Sequence, residues 1–176
     1  MKNNLNLFLE SSEIARIVKT LGEQITKDHA NKHPLLIGVL KGSFIFLSDL
    51  VREINVDLDV DFITVRSYTD GSSPKGEVVL SGRSNLSLKG RDVIVVEDIL
   101  DRGLTSRLVI EYLKEDAPAS IKVATLLARE GGEAVERADY LGTQVGPGFI
   151  VGYGMDFDER YRNLPELYII DEDKKE

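Results

Sequence analysis

Fourteen residues, from Val93 to Ser106, leave this chain few folds to choose from: Val-Ile-Val-Val-Glu-Asp-Ile-Leu-Asp-Arg-Gly-Leu-Thr-Ser. Four β-branched residues in succession fit a strand buried on both faces of a parallel sheet. Glu97, Asp98 and Asp101 follow, with Arg102, Gly103, Leu104, Thr105 and Ser106 behind them. Leu108, Val109, Ile110, Tyr112 and Leu113 then recur at helical spacing. The stretch reads as strand, acidic turn, glycine-containing loop and helix.

Each part carries chemistry. Open α/β sheets bind ligands at the carboxyl ends of their parallel strands. A helix N-terminus and the amides of the loop before it make an anion site. Gly103 lets backbone come close to a phosphate, and Thr105 and Ser106 add hydroxyl donors. Three acids are out of place beside an anion alone, because two unit charges ~4 Å apart repel by about 1 kcal/mol in water and by several times that when partly buried. They make sense if a hard cation or sugar hydroxyls join the anion, since carboxylates, hydroxyls and phosphate oxygens are what Mg²⁺ prefers. The implied ligand is a sugar carrying phosphates and Mg²⁺. A solvated turn with an aspartate cap would explain a lone Asp-x-x-Asp equally well. It explains Glu-Asp-x-x-Asp-x-Gly-x-Thr straight after an apolar strand far less well. No Gly-x-x-x-x-Gly-Lys-Ser/Thr occurs, so this is not a Walker loop.

The remaining elements alternate in the same way. Ser11-Ser12-Glu13 predicts a serine-capped helix start, and Ile14, Ile17, Val18, Leu21 and Ile25 form its apolar stripe. His29 and His33 fall in a polar stretch and read as surface residues rather than metal ligands. Leu35 to Leu40 is a second buried strand, then Lys41-Gly42-Ser43, then an apolar helix from Phe44 to Val51. That arrangement sets a lysine and free amides at the sheet's carboxyl edge, fit for pyrophosphate oxygens; a tight turn with a solvated lysine is the plainer alternative. Val56 to Val65 alternates as a half-exposed strand. The polar loop from Arg66 to Gly76, with Ser67 and Tyr68 at its start, suits a lid or a flexible hairpin. Glu77 to Ser81 and Ile121 to Ala128 are further strands. Strands alternating with helices predict a parallel α/β sheet with right-handed crossovers.

A chain of 176 residues suits one domain. The net charge of −8 argues against nucleic acid as a main partner, because phosphate backbones are held by basic surface. There is no cysteine, which excludes disulfides and thiolate metal sites. No apolar run approaches the ~20 residues of a membrane span, and the N-terminus has no signal-peptide core. A cytoplasmic protein that meets no membrane is expected.

Val-Val-Glu-Asp-Ile-Leu-Asp-Arg-Gly-Leu-Thr resembles the phosphoribosyl-pyrophosphate signature of type I phosphoribosyltransferases. With Leu40-Lys41-Gly42, Ser67-Tyr68 and Phe149-Ile150-Val151-Gly152-Tyr153-Gly154-Met155-Asp156, the chain resembles the hypoxanthine-guanine branch from about Leu35 to about Ile170. The resemblance implies an α/β fold, a parallel-sheet core with flanking helices and a small hood subdomain. The single domain would span residues 1–176, with the hood drawn from about 1–34 and about 129–176. It implies a purine salvage enzyme that uses phosphoribosyl pyrophosphate, a 6-oxopurine base and Mg²⁺, and that forms a homodimer or homotetramer. Glu97 and Asp98 would hold the ribose hydroxyls, directly or through Mg²⁺. Arg102, Gly103, Leu104 and Thr105 would cradle the 5-phosphate. Lys41, Gly42 and Arg162 would meet pyrophosphate, after a strained, cis-prone peptide before Lys41. Asp156 would hold a second Mg²⁺, and Phe149 would stack on the purine beside the Ile150 backbone. Taken alone, Phe149 also fits a core and Arg162 a solvated surface. Asp101 is the candidate general base, and crowding by its neighbours suits it to that task by raising its pKa.

Two residues depart from the pattern. Arg129 stands where that branch commonly has a lysine donating to the purine 6-oxo group, which leaves xanthine or adenine open as the base. Arg102 stands where relatives often carry a small hydroxyl residue, so it either strengthens phosphate binding or points to solvent. A non-catalytic sensor of phosphoribosyl pyrophosphate is a further alternative, but it would be expected to carry a basic face or to lose Phe149 and Asp156.

Overall fold

The Val93–Val96 run lies at the middle of a six-stranded sheet. The structure, a computed structural model, describes residues 5–68, 77–82, 84, 86–101, 103–131 and 136–170. In chain order the elements are β1 (Leu5–Leu9), α1 (Ser11–Asp28), β2 (Leu35–Leu40), α2 (Phe44–Glu53), β3 (Asp59–Tyr68), β4 (Glu77–Gly82), β5 (Asp92–Leu100), α3 (Leu104–Lys114), β6 (Ser120–Arg129), β7 (Tyr140–Val145), β8 (Phe149–Val151) and β9 (Leu167–Ile170).

The main sheet runs β4-β3-β2-β5-β6-β7. Its strands are parallel except β4, which pairs antiparallel with β3. A second, antiparallel sheet runs β1-β9-β8. This is the expected parallel core with a small hood.

Burial follows the two-residue period of β5. Val93 and Val95 pack on one face with Val109 and Leu113 of α3. Ile94 and Val96 pack on the other with α1 (Ile14, Val18, Leu21, Ile25) and α2 (Phe46, Leu47, Leu50). All four β5 side chains are fully buried, each contributing about 1.5–3 kcal/mol relative to exposure. That two-faced burial is why an uninterrupted β-branched run, rather than an alternating one, occupies the central strand.

Three expectations are corrected. The α1 cap is Glu10, not serine: its N–H donates to Glu13 Oε2 at 3.3 Å, and Ser11 and Ser12 fall inside the first turn. His29 is not a surface residue but is 1 % exposed. The end of α1 tucks against the start of β7, where Tyr140 Oη lies 3.4 Å from His29 Nε2 and also donates to Asp28 at 2.8 Å. Burial holds the His29 pKa below its usual value. The third concerns β3, which starts at Asp59 rather than Val56. Val60 and Phe62 stay partly exposed there while Ile63 is buried, because α2 packs on β2, and α1 on β6 and β7, leaving that side of β3 thinly covered.

Candidate active site

The acids sit where β5 ends. Continuing its alternation sends Glu97 to the α3 side, with Val93 and Val95, and Asp98 to the α1–α2 side, with Ile94 and Val96. Glu97 is 4 % exposed, and its Oε1 has no hydrogen-bond partner among the described residues. Burial, with the Asp98 charge adding to it, pushes its pKa up to about 8. The Asp98 carboxyl also titrates above its usual range, chiefly through burial.

Asp98 lies directly under the loop that leaves β2. A Cβ built on Gly42 would stand 1.8 Å from Asp98 Oδ2, and one on Gly154 would stand 2.3 Å from the Gly42 carbonyl oxygen. Three segments therefore meet at one point: the end of β5, the loop after β2, and the turn after β8. Only glycine lets two of them come this close. The Leu40–Lys41 peptide in the first of these loops is cis.

The two cations expected at pyrophosphate face each other across one carboxylate. Lys41 Nζ donates to Glu159 Oε1 at 2.9 Å. Arg162 donates to Glu159 Oε2 from Nη2 at 3.0 Å, and its Nη2 also lies 2.8 Å from Asp156 Oδ1. Its Nη1 holds the Gly154 carbonyl at 2.8 Å. The hydrogen bonds from Lys41, and then from Arg162, lower the Glu159 pKa. Glu159 escaped the sequence reading. Its signal was the three-residue spacing Asp156-x-x-Glu159-x-x-Arg162.

On the other side of the β5 edge, α3 opens at Gly103, whose φ of 67° puts it in the left-handed region, and the first amides of the helix have no partner within it. Thr105 is half-buried and Leu104 exposed beside it. The Ser106 hydroxyl, expected to face a phosphate, is buried and donates back to the Gly103 carbonyl at 3.2 Å. Arg137, also unforeseen, donates from Nη1 to the same carbonyl at 3.3 Å, from 34 residues away. Arg102 lies outside the described residues.

Asp101 and Arg129 end adjacent strands, Leu100 pairing with Ala128. Asp101 Oδ1 stands 3.6 Å from Arg129 Nε, with the Asp101 side chain largely exposed. Phe149 is 41 % exposed, its ring held edge-on by Phe157 at 5.1 Å. Ile150 is buried and paired through its backbone to Ile169. Ser67 and Tyr68 end β3 opposite Val78 and Glu77, and residues 69–76 of the expected lid lie outside the described residues.

The donor set fits Mg²⁺ on one condition. Among the described residues no three acidic or histidine side chains are close enough to hold a metal by themselves. Asp98 does feel the Asp156 charge, and Glu97 has an orphaned buried oxygen. One or two carboxylates completed by water and substrate phosphates is how Mg²⁺ usually binds.

The chain as a whole is similar to known proteins. The family model described as "Phosphoribosyl transferase domain" matches residues 6–158. The chain is 41 % identical over 175 residues to a hypoxanthine-guanine phosphoribosyltransferase of Streptococcus pneumoniae, covering 98 % of this chain and 97 % of that one. It is 38 % identical over 172 residues to the protein of that name from Bacillus subtilis, covering 97 % and 96 %. A crystal structure of a hypoxanthine phosphoribosyltransferase from Staphylococcus aureus superposes with a TM-score of 0.86 at 36 % identity, over 96 % of this chain and 93 % of that one.

Proposed function

The chain belongs to the phosphoribosyltransferase family, and we propose that it works in purine salvage: it transfers the 5-phosphoribosyl group of phosphoribosyl pyrophosphate to N9 of hypoxanthine or guanine, giving IMP or GMP and releasing pyrophosphate. One observation carries the reading of its crevice. An acidic strand end, a left-handed glycine opening α3 and a lysine–arginine pair around Glu159 share one sheet edge. A sugar bearing phosphate at one end and pyrophosphate at the other asks for all three.

Each group then has a task. Glu97 and Asp98 hold the ribose hydroxyls. The amides of Gly103, Leu104 and Thr105, with the Thr105 hydroxyl, hold the 5-phosphate. Lys41, the Gly42 amide and Arg162 receive the leaving pyrophosphate, whose oxygens take the place of the Glu159 carboxylate. The purine stacks on Phe149, its edge against the Ile150 backbone and its plane fixed from the Arg129 side. Asp101 takes the purine proton at N7. Ser67 and Tyr68, at the end of β3, would help to keep water from the developing oxocarbenium ion. Mg²⁺, held by carboxylates drawn from Glu97, Asp98 and Asp156 together with substrate oxygens, would neutralise charge growing on pyrophosphate.

A second reading, transfer to another base such as xanthine or adenine, is favoured by the fact that both terminal nitrogens of Arg129 are engaged by backbone carbonyls. Pyrophosphate release measured with hypoxanthine, guanine, xanthine and adenine in parallel decides between them. Hypoxanthine and guanine should support release. Silence with all four would overturn the transferase reading. We further expect a homodimer or homotetramer, measurable by sedimentation, and a cytoplasmic location. No helix among the described residues is long and apolar enough to cross a membrane.

A further inference from the structure

Arg129 does more than replace a lysine. It closes β6 with its guanidinium spread across the turn between β7 and β8. Nη1 donates to the Gly146 carbonyl at 2.5 Å and Nη2 to the Gly148 carbonyl at 2.6 Å, one on each side of Pro147. Its third nitrogen, Nε, faces Asp101 Oδ1 at 3.6 Å, a charge pair rather than a hydrogen bond. The next residue after the turn is Phe149, whose exposed ring is the only part of β8 turned to solvent. From the other side the turn is backed by Ile169: a Cβ on Gly148 would stand 2.7 Å from Ile169 Cγ2.

The planar fork matches this task and an ammonium does not. A guanidinium presents parallel N–H donors at fixed spacing and keeps a further N–H on its inner edge. A lysine offers one compact charge at the end of a flexible stem and cannot hold two carbonyls and a carboxylate in a set geometry. The same fork that would address O6 and N7 of a purine is here turned onto the protein's own backbone.

The geometry points to Arg129 as the positioning residue of the base site: it couples the stacking ring of Phe149 to the carboxylate of Asp101, and it does not read the purine's 6-oxo group. The inference deepens the proposed reaction and rests on it. Discrimination at the purine 6-position then falls to other groups, such as the Ile150 backbone.

The test compares the parent with Arg129→Lys and Arg129→Gln, using hypoxanthine and its 6-thio analogue, in which the oxo acceptor becomes a weakly accepting sulfur. If Arg129 positions, both variants lose kcat/KM on both bases by the same factor, roughly tenfold to a hundredfold, as a misplaced reacting pair does. The ratio between the bases stays at the parental value, the KM for base rises, and the KM for phosphoribosyl pyrophosphate does not move. Loss confined to hypoxanthine, with the ratio collapsing toward one, would show that Arg129 contacts the oxo group and would overturn the inference. So would a full-rate Arg129→Lys enzyme, because a lysine cannot reproduce the fork. An inactive parent would overturn the proposed reaction together with this inference, whereas an active parent with a collapsed ratio overturns this inference alone.

Discussion

Glu97 keeps a proton that an ordinary glutamate gives up. Its usual pKa is 4.5, and in the folded chain it rises to about 8 because the carboxyl is buried and faces the Asp98 charge. Between those values the native state holds a proton that the unfolded chain has lost, so stability falls as pH rises. The contribution is complete below the unfolded value and gone above the folded one. Thermal unfolding of the ligand-free protein between about pH 5 and pH 8 should therefore show a falling Tm that Glu97→Gln flattens. Equal slopes for the two proteins would contradict the assignment. Asp101 behaves differently because its side chain is mostly in water. Replacing it costs little stability, so its chemical role can be isolated. Asp101→Ala should lose on the order of a hundredfold or more in kcat while calorimetry shows phosphoribosyl pyrophosphate still binding. An unchanged kcat would remove it as the base.

At the scale of elements, the loop after β2 is the most exacting part of the site. Gly42 packs on Asp98 so closely that any side chain must push the loop off the carboxyl. Gly42→Ala should raise the KM for phosphoribosyl pyrophosphate at least ~10-fold, because loop and acid must share one ligand, and it should leave the KM for purine near the parental value. Circular dichroism would verify the fold. An unaltered KM would mean that the loop yields cheaply. The elements themselves were largely readable from local pattern: strand β2, the core of β5 and the two helices that follow them stand where apolar runs and spacing put them, but β5 runs on to Leu100, so Glu97 and Asp98 are strand residues rather than the turn expected after Val96. What pattern missed was context. Ser11 and Ser12 look like caps until Glu10 and Glu13 take the role. The start of α3 looked like a row of donors until Ser106 turned back on Gly103.

For the molecule as a whole, the site depends on two sheets being joined correctly. The residues proposed for the pentose and phosphates lie at the main sheet's carboxyl edge, and Phe149 and Ile150, proposed for the purine, lie on the small sheet. β1 is the third strand of that small sheet, pairing only with β9. Without it β8 and β9 become a two-stranded ribbon, which is marginal in water. A chain starting at Glu10 should lose hypoxanthine binding, seen as a higher KM for base, while phosphoribosyl pyrophosphate still binds in titration. Equal loss of both would show that the two sheets stand or fall together.

Local order in the chain was enough to announce the central strand, its acids, the glycine loop and the helix behind it, because each of these depends on side-chain period and on neighbours a few residues away. Folding settled the contacts between distant segments. Lys41 finds Glu159 across 118 positions, Arg129 finds the turn 17 to 19 residues on, and His29 is buried against Tyr140 from 111 residues off. No periodicity carries such information. It comes from how the two sheets and the helices pack, since packing sets which charge meets which and how deeply each is withdrawn from water.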